Sequence, residues 1–241
     1  MNRAPSKMQA AALAPPAFAV APLGETRSLG NRAYAALKRA LSDTDIYAQR
    51  DEIRLDERRL SLQLGVSRTP IREAMNLLEN EGFLRTRPRR GVFIVRKTKK
   101  EVVEMIQVWA ALEGMAARLI TQRASDADIA GLRRMFDDFV DHNPAEHIDE
   151  YSDANIEFHQ AIVRLSGSRL IADLTENLFI HVRAIRKATI RKGDRAERSI
   201  VDHLNIVEAL ERRDTLAAER LAREHTLGLA EFVERHCDFL E

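Results

Sequence analysis

Apolar residues recur at helical spacing between Arg32 and Leu41, at Ala33, Leu37, Ala40 and Leu41, and predict a first helix. The stretch EIRLDERRLSLQLG predicts a second, with Leu60, Leu62 and Leu64 for packing and Gly65 as its stop. A third opens at once. Ser67 is placed to cap it, and Pro70 falls in its first turn, where the N–H that proline lacks would have no helical partner. Ile71, Ala74, Met75 and Leu78 then face inward. Two short β-rich runs, Gly82-Phe83-Leu84 and Val92-Phe93-Ile94-Val95, flank a Pro/Gly turn and predict a hairpin.

Beyond residue 98 the strand signals stop and the helical period takes over. Thr98-Lys99-Lys100-Glu101 has the form of a capping box and opens a stripe of Val102, Met105, Ile106, Trp109, Leu112, Ala116 and Leu119. A helix from Ser125 buries Ile129, Leu132, Phe136 and Phe139, and Asn143-Pro144 ends it. Four more are expected over 147–165, 170–191, 196–213 and 215–235, with Gly167, Gly193 and Asp214 at the junctions. Six helices of this kind make an antiparallel all-α bundle. The expected fold is therefore mainly α: a helix-turn-helix with a β-hairpin wing over 27–97, then a bundle over 98–241.

Composition narrows the class. Ten glycines, seven prolines and 5% aromatic residues in 241 disfavour an all-β or low-complexity chain. The single cysteine, Cys237, has no partner for an intramolecular disulfide, which fits a reducing, cytoplasmic compartment. The Ala/Pro-rich segment 1–26 reads as a disordered tail. Its AVA at 19–21 resembles a cleavage site, but Pro15 and Pro16 interrupt the apolar run that a signal peptide needs. No segment reaches the ~18 to 20 apolar residues of a membrane helix. Net charge is +1, yet 27–97 holds 16 basic against 9 acidic residues and 98–241 holds 20 against 27. Opposite signs in the two halves suggest two tasks.

The basic half has the chemistry of a double-stranded DNA reader. Ser67, Arg68, Thr69 and Arg72 cluster at the exposed start of the third helix, the part of a recognition helix that meets base edges. Arg87, Arg89 and Arg90 at the hairpin tip suit phosphate contact or minor-groove insertion. LGVSRTPIREAMNLLENEGFLRTRPRRGVFIV closely resembles the winged helix-turn-helix of GntR-family bacterial transcription regulators. The resemblance implies that Arg58, Arg68 and Arg72 read or clamp the operator, with Ser67, Thr69 and Gly91 supporting phosphate or groove contacts. It also implies a homodimer on a pseudo-palindromic operator. One departure is DIYAQRDEIR, which stands where relatives carry Pro-Gly between the first two helices.

In the acidic half the histidines stand out. Asn155 and His159 lie i, i+4 on one apolar stripe, His203 falls on the stripe Ile200, Leu204, Val207, Leu210, and His225 on that of Ala218, Leu221, Ala222, Leu229. Imidazoles converging with an oxygen donor bind a divalent transition ion, although a lone inward histidine is more often a satisfied core residue. His142, His147 and His236 fall off the stripes and are expected at the surface. His181 lies on an apolar face and is open to three roles: core residue, ligand contact or fourth imidazole. NIEFHQAIVRLSGSRLI and DHLNIVEALERRDTLAAERLAREHT resemble the FCD effector domain of the FadR subfamily, over about 100–236. That resemblance implies a metal, zinc or nickel, on Asn155, His159, His203 and His225. Asn155 stands where aspartate is commoner and Trp109 where many relatives carry arginine.

The expectation is a DNA-binding regulator, a repressor, controlled by a small carboxylate effector at the metal, with Arg183, Arg186, His181 and Trp109 as effector contacts. A regulator for which the ion itself is the signal is the alternative. A metal-dependent enzyme is remote, since there is no paired Glu-x-x-His motif and no carboxylate base stands out on the inward face.

Overall fold

A computed structural model describes residues 28–48, 51–140 and 144–240. The expected tail over 1–26 lies outside these, as do His142 and Asn143. The N-terminal unit comprises α1 (Leu29–Asp43), β1 (Arg54–Leu55), α2 (Glu57–Leu64), α3 (Arg68–Asn80), β2 (Leu84–Arg87) and β3 (Gly91–Ile94). Ser28 caps α1 by accepting from the Asn31 amide, and Asp56 caps α2 by accepting from that of Arg59. Gly65 ends α2 in the left-handed conformation, φ 63°, that glycine adopts without steric cost.

Three expectations change here. The stretch before Asp56 is not helical: Arg54 and Leu55 pair antiparallel with Phe93 and Val92, so the wing is a three-stranded sheet in the order β1-β3-β2. In α2 only Leu60 packs on the core, while Leu62 and Leu64 are exposed. Residues at i, i+2 and i+4 cannot share one face of a 3.6-residue helix. Ser67 occupies the N-cap of α3, but its side chain makes no capping hydrogen bond.

The C-terminal unit comprises α4 (Lys99–Arg123), α5 (Asp126–Arg134), α6 (Asp137–Val140), α7 (Ile148–Leu165), α8 (Arg169–Thr189), α9 (Arg195–Glu211) and α10 (Thr215–His236), closed by a 3-10 turn at Asp238–Leu240. The expected capping box holds: Thr98 and Glu101 satisfy each other's backbone amides. The single helix expected from Ser125 is two, α5 and α6, broken where Phe136 turns in to stack on His203. Through its 25 residues α4 is the spine, packing on α7, α8, α9 and α10. Its approach to α10 is close enough that a Cβ on Gly114 would lie 3.1 Å from the Glu219 carbonyl. Arg213 donates to the carbonyls of Ile120 and Ala124 and so satisfies the end of α4. Among the described residues no helix is long and apolar enough to cross a membrane.

Two apolar cores result. One is internal to the bundle, around Trp109, Phe136, Tyr151 and Phe158. The other joins the two units, packing Leu37, Ile71, Leu78 and Phe83 with Ile106, Ile180, Ile185 and Val233. At this junction the Tyr47 hydroxyl bonds His181 Nδ1 at 3.0 Å and Phe83 stacks on the same imidazole. Ion pairs of Arg183 with Asp43 and Lys187 with Asp45 run alongside.

Burial holds the His181 pKa down to about 4, so between that value and the ordinary 6.5 the unfolded chain binds the extra proton. A depressed pKa on a base means that stability is complete above 6.5 and declines as pH falls toward 4. From pH 7.5 to pH 5 this histidine should cost about 2 kcal/mol. Urea unfolding of wild type and His181→Phe at the two pH values checks this: the variant should lose about that much less, and equal losses would show that the junction does not hold His181 neutral.

Candidate DNA-facing surface and metal centre

The candidate DNA contacts gather on one exposed side of the N-terminal unit. Arg58, Ser67, Arg68, Thr69 and Arg72 are all exposed at the adjoining ends of α2 and α3. Glu57 of α2, which sequence reasoning overlooked, accepts from Arg68 Nη2 at 3.0 Å and Arg72 Nε at 2.8 Å. One carboxylate thus orients both guanidinium groups while leaving them more than half exposed; partial burial raises its pKa, but Arg72 and Arg68 together outweigh that and hold it below the usual carboxylate range. In the wing, Pro88 and Arg89 occupy the centre of a turn closed by Arg90 N–H to the Arg87 carbonyl, with Arg89 at φ 63°. Gly91 has φ 109°, and a Cβ there would lie 2.7 Å from Arg54 Nε. Arg87 is drawn back onto Glu52 and the Phe93 ring, whereas Arg89 and Arg90 stand exposed at the tip.

Inside the bundle α7, α9 and α10 bring His159, His203 and His225 together, one ligating nitrogen from each within 4.8 Å of the others. Ring centroids are 5.3 Å apart for His159–His203 and for His159–His225, and 4.6 Å for His203–His225. Each Nδ1 faces a partner: Glu113 Oε1 at 2.5 Å from His159, Asp202 Oδ2 at 3.0 Å from His225, and the Tyr151 hydroxyl at 3.4 Å from His203. An ionised carboxylate only accepts, which puts the proton of His159 and His225 on Nδ1 and leaves the Nε2 lone pair available. All three Nε2 atoms and Asn155 Oδ1 are buried with no hydrogen-bond partner. Orphaned polar atoms of this kind are rare and costly in a folded interior.

Desolvation dominates the electrostatics. It lowers the pKa of His159 and His203 well below the ordinary value, and it lowers that of His225 against the opposing pull of Asp202. Neutral imidazoles are the ligating form. Burial pushes the Glu113 carboxyl up, opposed by Arg186 and by the Thr226 hydroxyl, which donates to Oε2 at 2.5 Å. Arg186, itself buried and lowered to about 10 by desolvation, donates to Thr226 Oγ1 at 3.1 Å and stays charged at neutral pH. Three neutral, orphaned nitrogens, each braced from behind at Nδ1, fit a divalent transition ion, and Asn155, one turn before His159 on α7, adds an orphaned amide oxygen on the same buried side of that helix.

The candidate effector contacts separate. Arg186 belongs to this network. Trp109 is buried one turn before Glu113 on α4 and packs against Phe179. Arg183 and His181 lie elsewhere, at the junction with the N-terminal unit: Arg183 donates to the Ser42 carbonyl and Asp43, and His181 Nδ1 shares a hydrogen bond with the Tyr47 hydroxyl. Arg183 and Arg186 are i, i+3 neighbours on α8, yet Arg183 is held by Ser42 and Asp43 whereas Arg186 bonds Thr226 inside the bundle. His147 and His236 are exposed. A carboxylate does stand on the inward face, contrary to the sequence reading: Glu113, at i+4 from Trp109 along the buried stripe 106, 109, 113, 117, 120. Both of its oxygens are committed, to His159 and to Thr226. Asp202, one residue before His203, was equally overlooked.

The comparisons with known proteins agree with this architecture. The FCD domain family matches residues 104–228 and the bacterial regulatory proteins of the gntR family match 29–94. The HTH-type transcriptional regulator YdhC of Bacillus subtilis is 30% identical over 174 residues, 71% of this chain and 77% of that protein. The HTH-type transcriptional repressor RspR of Escherichia coli is 26% identical over 181 residues, 75% and 79%. A probable D-xylose utilization operon transcriptional repressor of Paenarthrobacter nicotinovorans is 29% identical over 172 residues, 70% and 74%. Among solved structures, Escherichia coli McbR/YncC superposes with a TM-score of 0.70 at 22% identity, over 88% of this chain and 99% of that one, a likeness of fold. With a winged reader at one end and an FCD bundle at the other, the chain belongs to the GntR family of bacterial regulatory proteins.

Proposed function

We propose that this protein is a transcriptional repressor that binds a pseudo-palindromic operator as a homodimer and is controlled by a small organic acid at a metal ion inside the bundle. Residues 27–97 serve DNA and 98–241 serve sensing and dimerisation. Four buried, orphaned donor atoms on Asn155, His159, His203 and His225 carry the sensing part of the reading. Zinc or nickel bound there supplies a Lewis-acidic position for a carboxylate. Glu113, Asp202 and Tyr151 orient the three imidazoles, and Arg186 places a buried positive charge beside them. Repression is supported by the likeness to RspR and the D-xylose regulator, both named as repressors.

The route to DNA is α8. Arg186 reaches from it into the bundle, while His181, Arg183 and Lys187 reach from it to α1 and the turn after it. An acid that draws on Arg186 biases the seating of α8, and the reading heads with it, by as much as its affinity differs between the two seatings. A second reading, in which the ion alone is the signal, draws on Asn155: a neutral amide holds a cation less firmly than a carboxylate, which favours exchange.

Arg72→Ala should weaken operator binding by about 1–3 kcal/mol and flatten sequence preference, while Arg89→Ala should weaken all DNA alike and reduce the salt slope by about 0.9. Fluorescence anisotropy against operator and scrambled duplexes over a salt series separates the two. Wild-type binding by Arg72→Ala would refute the assignment of α3 as reader.

For the bundle, zinc or nickel at about 100 times its dissociation constant should add about 2.7 kcal/mol to the stability of chelator-treated protein, and His159→Ala should abolish the gain. A carboxylate screen by thermal melting should give a further shift that chelator removes. A shift with metal that no acid extends, together with metal-dependent operator affinity, selects the second reading.

A further inference from the structure

A cavity of about 510 Å³ between α9 and α10 opens on His225 and Asp202 and extends along Arg195, Lys192 and Phe232. Its size is that of a small-molecule site. Most of its charges are already matched: Arg198 pairs with Asp194, Arg235 with Glu231, and Asp202 accepts from His225 Nδ1. Two cations are not. The Arg195 guanidinium lies 4.3 Å from the Phe232 ring centre and its Nε is buried with no partner. Lys192 Nζ lies 4.7 Å over the Phe239 ring, and among the described residues neither cation makes an ion pair. Aromatic faces hold both in place without neutralising them. Burial lowers Arg195 to about 10, which leaves it charged at neutral pH.

We propose that Arg195 and Lys192 form an anion subsite in this vestibule, so that the effector is a dianion: one carboxylate reaches the metal centre past His225, and a second carboxylate or a phosphate is held by these two cations. The proposal rests on the acid-sensing reading and adds its specificity. A desolvated cation with no counter-ion is costly, and an incoming anion is the group that relieves it. Arg183, the arginine first expected to meet the effector, is spent on Ser42 and Asp43; Arg195 is on the helix that also carries Asp202 and His203.

Calorimetric titration of the full-length zinc-loaded protein with butyrate, succinate, glutarate, adipate and phosphoglycolate tests this. At least one dianion should bind tenfold or more tightly than butyrate, and the winner tells a second carboxylate from a phosphate. Arg195→Gln should remove that advantage while butyrate affinity stays within twofold, Arg195→Lys should keep part of it, and Lys192→Gln should show a smaller loss. Should Arg195→Gln fold poorly, Lys192→Gln and Arg195→Lys still decide. Dianions no better than butyrate, or variants that keep the full advantage, overturn the subsite alone. Failure of every acid to bind the loaded protein overturns the acid-sensing reading and the subsite with it.

Discussion

The hydrogen bond between Glu113 and His159, 2.5 Å long and out of reach of water, organises the polar interior of the bundle. A carboxylate in such a place is costly unless its oxygens are occupied, and both are, by His159 and Thr226. Arg186 completes the arrangement from α8 by bonding Thr226. Four helices, α4, α7, α8 and α10, are thereby tied through one buried network. The network also aims a basic nitrogen of His159 at the space shared with His203 and His225. Packing and chemistry are the same constraint here: groups that satisfy the three Nδ1 atoms leave the three Nε2 atoms on the other side of the rings unsatisfied.

The bundle and the reading unit are not separate bodies joined by a string. A continuous apolar core runs from α1 and α3 into α4, α8 and α10, and His181, Arg183 and Lys187 supply polar contacts along its edge. Arg186, bonded to Thr226, and His181 and Arg183, bonded to Tyr47 and Asp43, stand on the same helix, α8, which therefore belongs to both the polar interior and the junction. In the N-terminal unit Glu57 fixes the orientation of Arg68 and Arg72 without covering them.

Much of the plan was legible along the chain. The 3.6-residue period located the long helices, the capping box marked the start of α4, and Gly65 marked the end of α2, because these signals act within one or two turns and need no partner from afar. The i, i+4 pair Asn155 and His159 and the stripe positions of His203 and His225 were visible for the same reason. Less visible were β1, whose two residues become a strand only because β3 offers an edge, and the break between α5 and α6, set by where Phe136 meets His203.

What the sequence determined by itself is therefore local: which segments coil, which faces are apolar, which end is basic, and which side chains share a face. What only the tertiary structure decided is relational. Glu113 is one charged residue in a long helix until it meets His159, and Arg195 is one of many surface-type arginines until Phe232 and the α9–α10 cavity surround it. Arg183 and His181, neighbours of Arg186 in sequence, serve another part of the molecule because Ser42, Asp43 and Tyr47 of the N-terminal unit stand where they reach. Periodicity tells how residues stand on their own helix. It does not tell which helix stands opposite, and the chemistry of a buried charge depends on that.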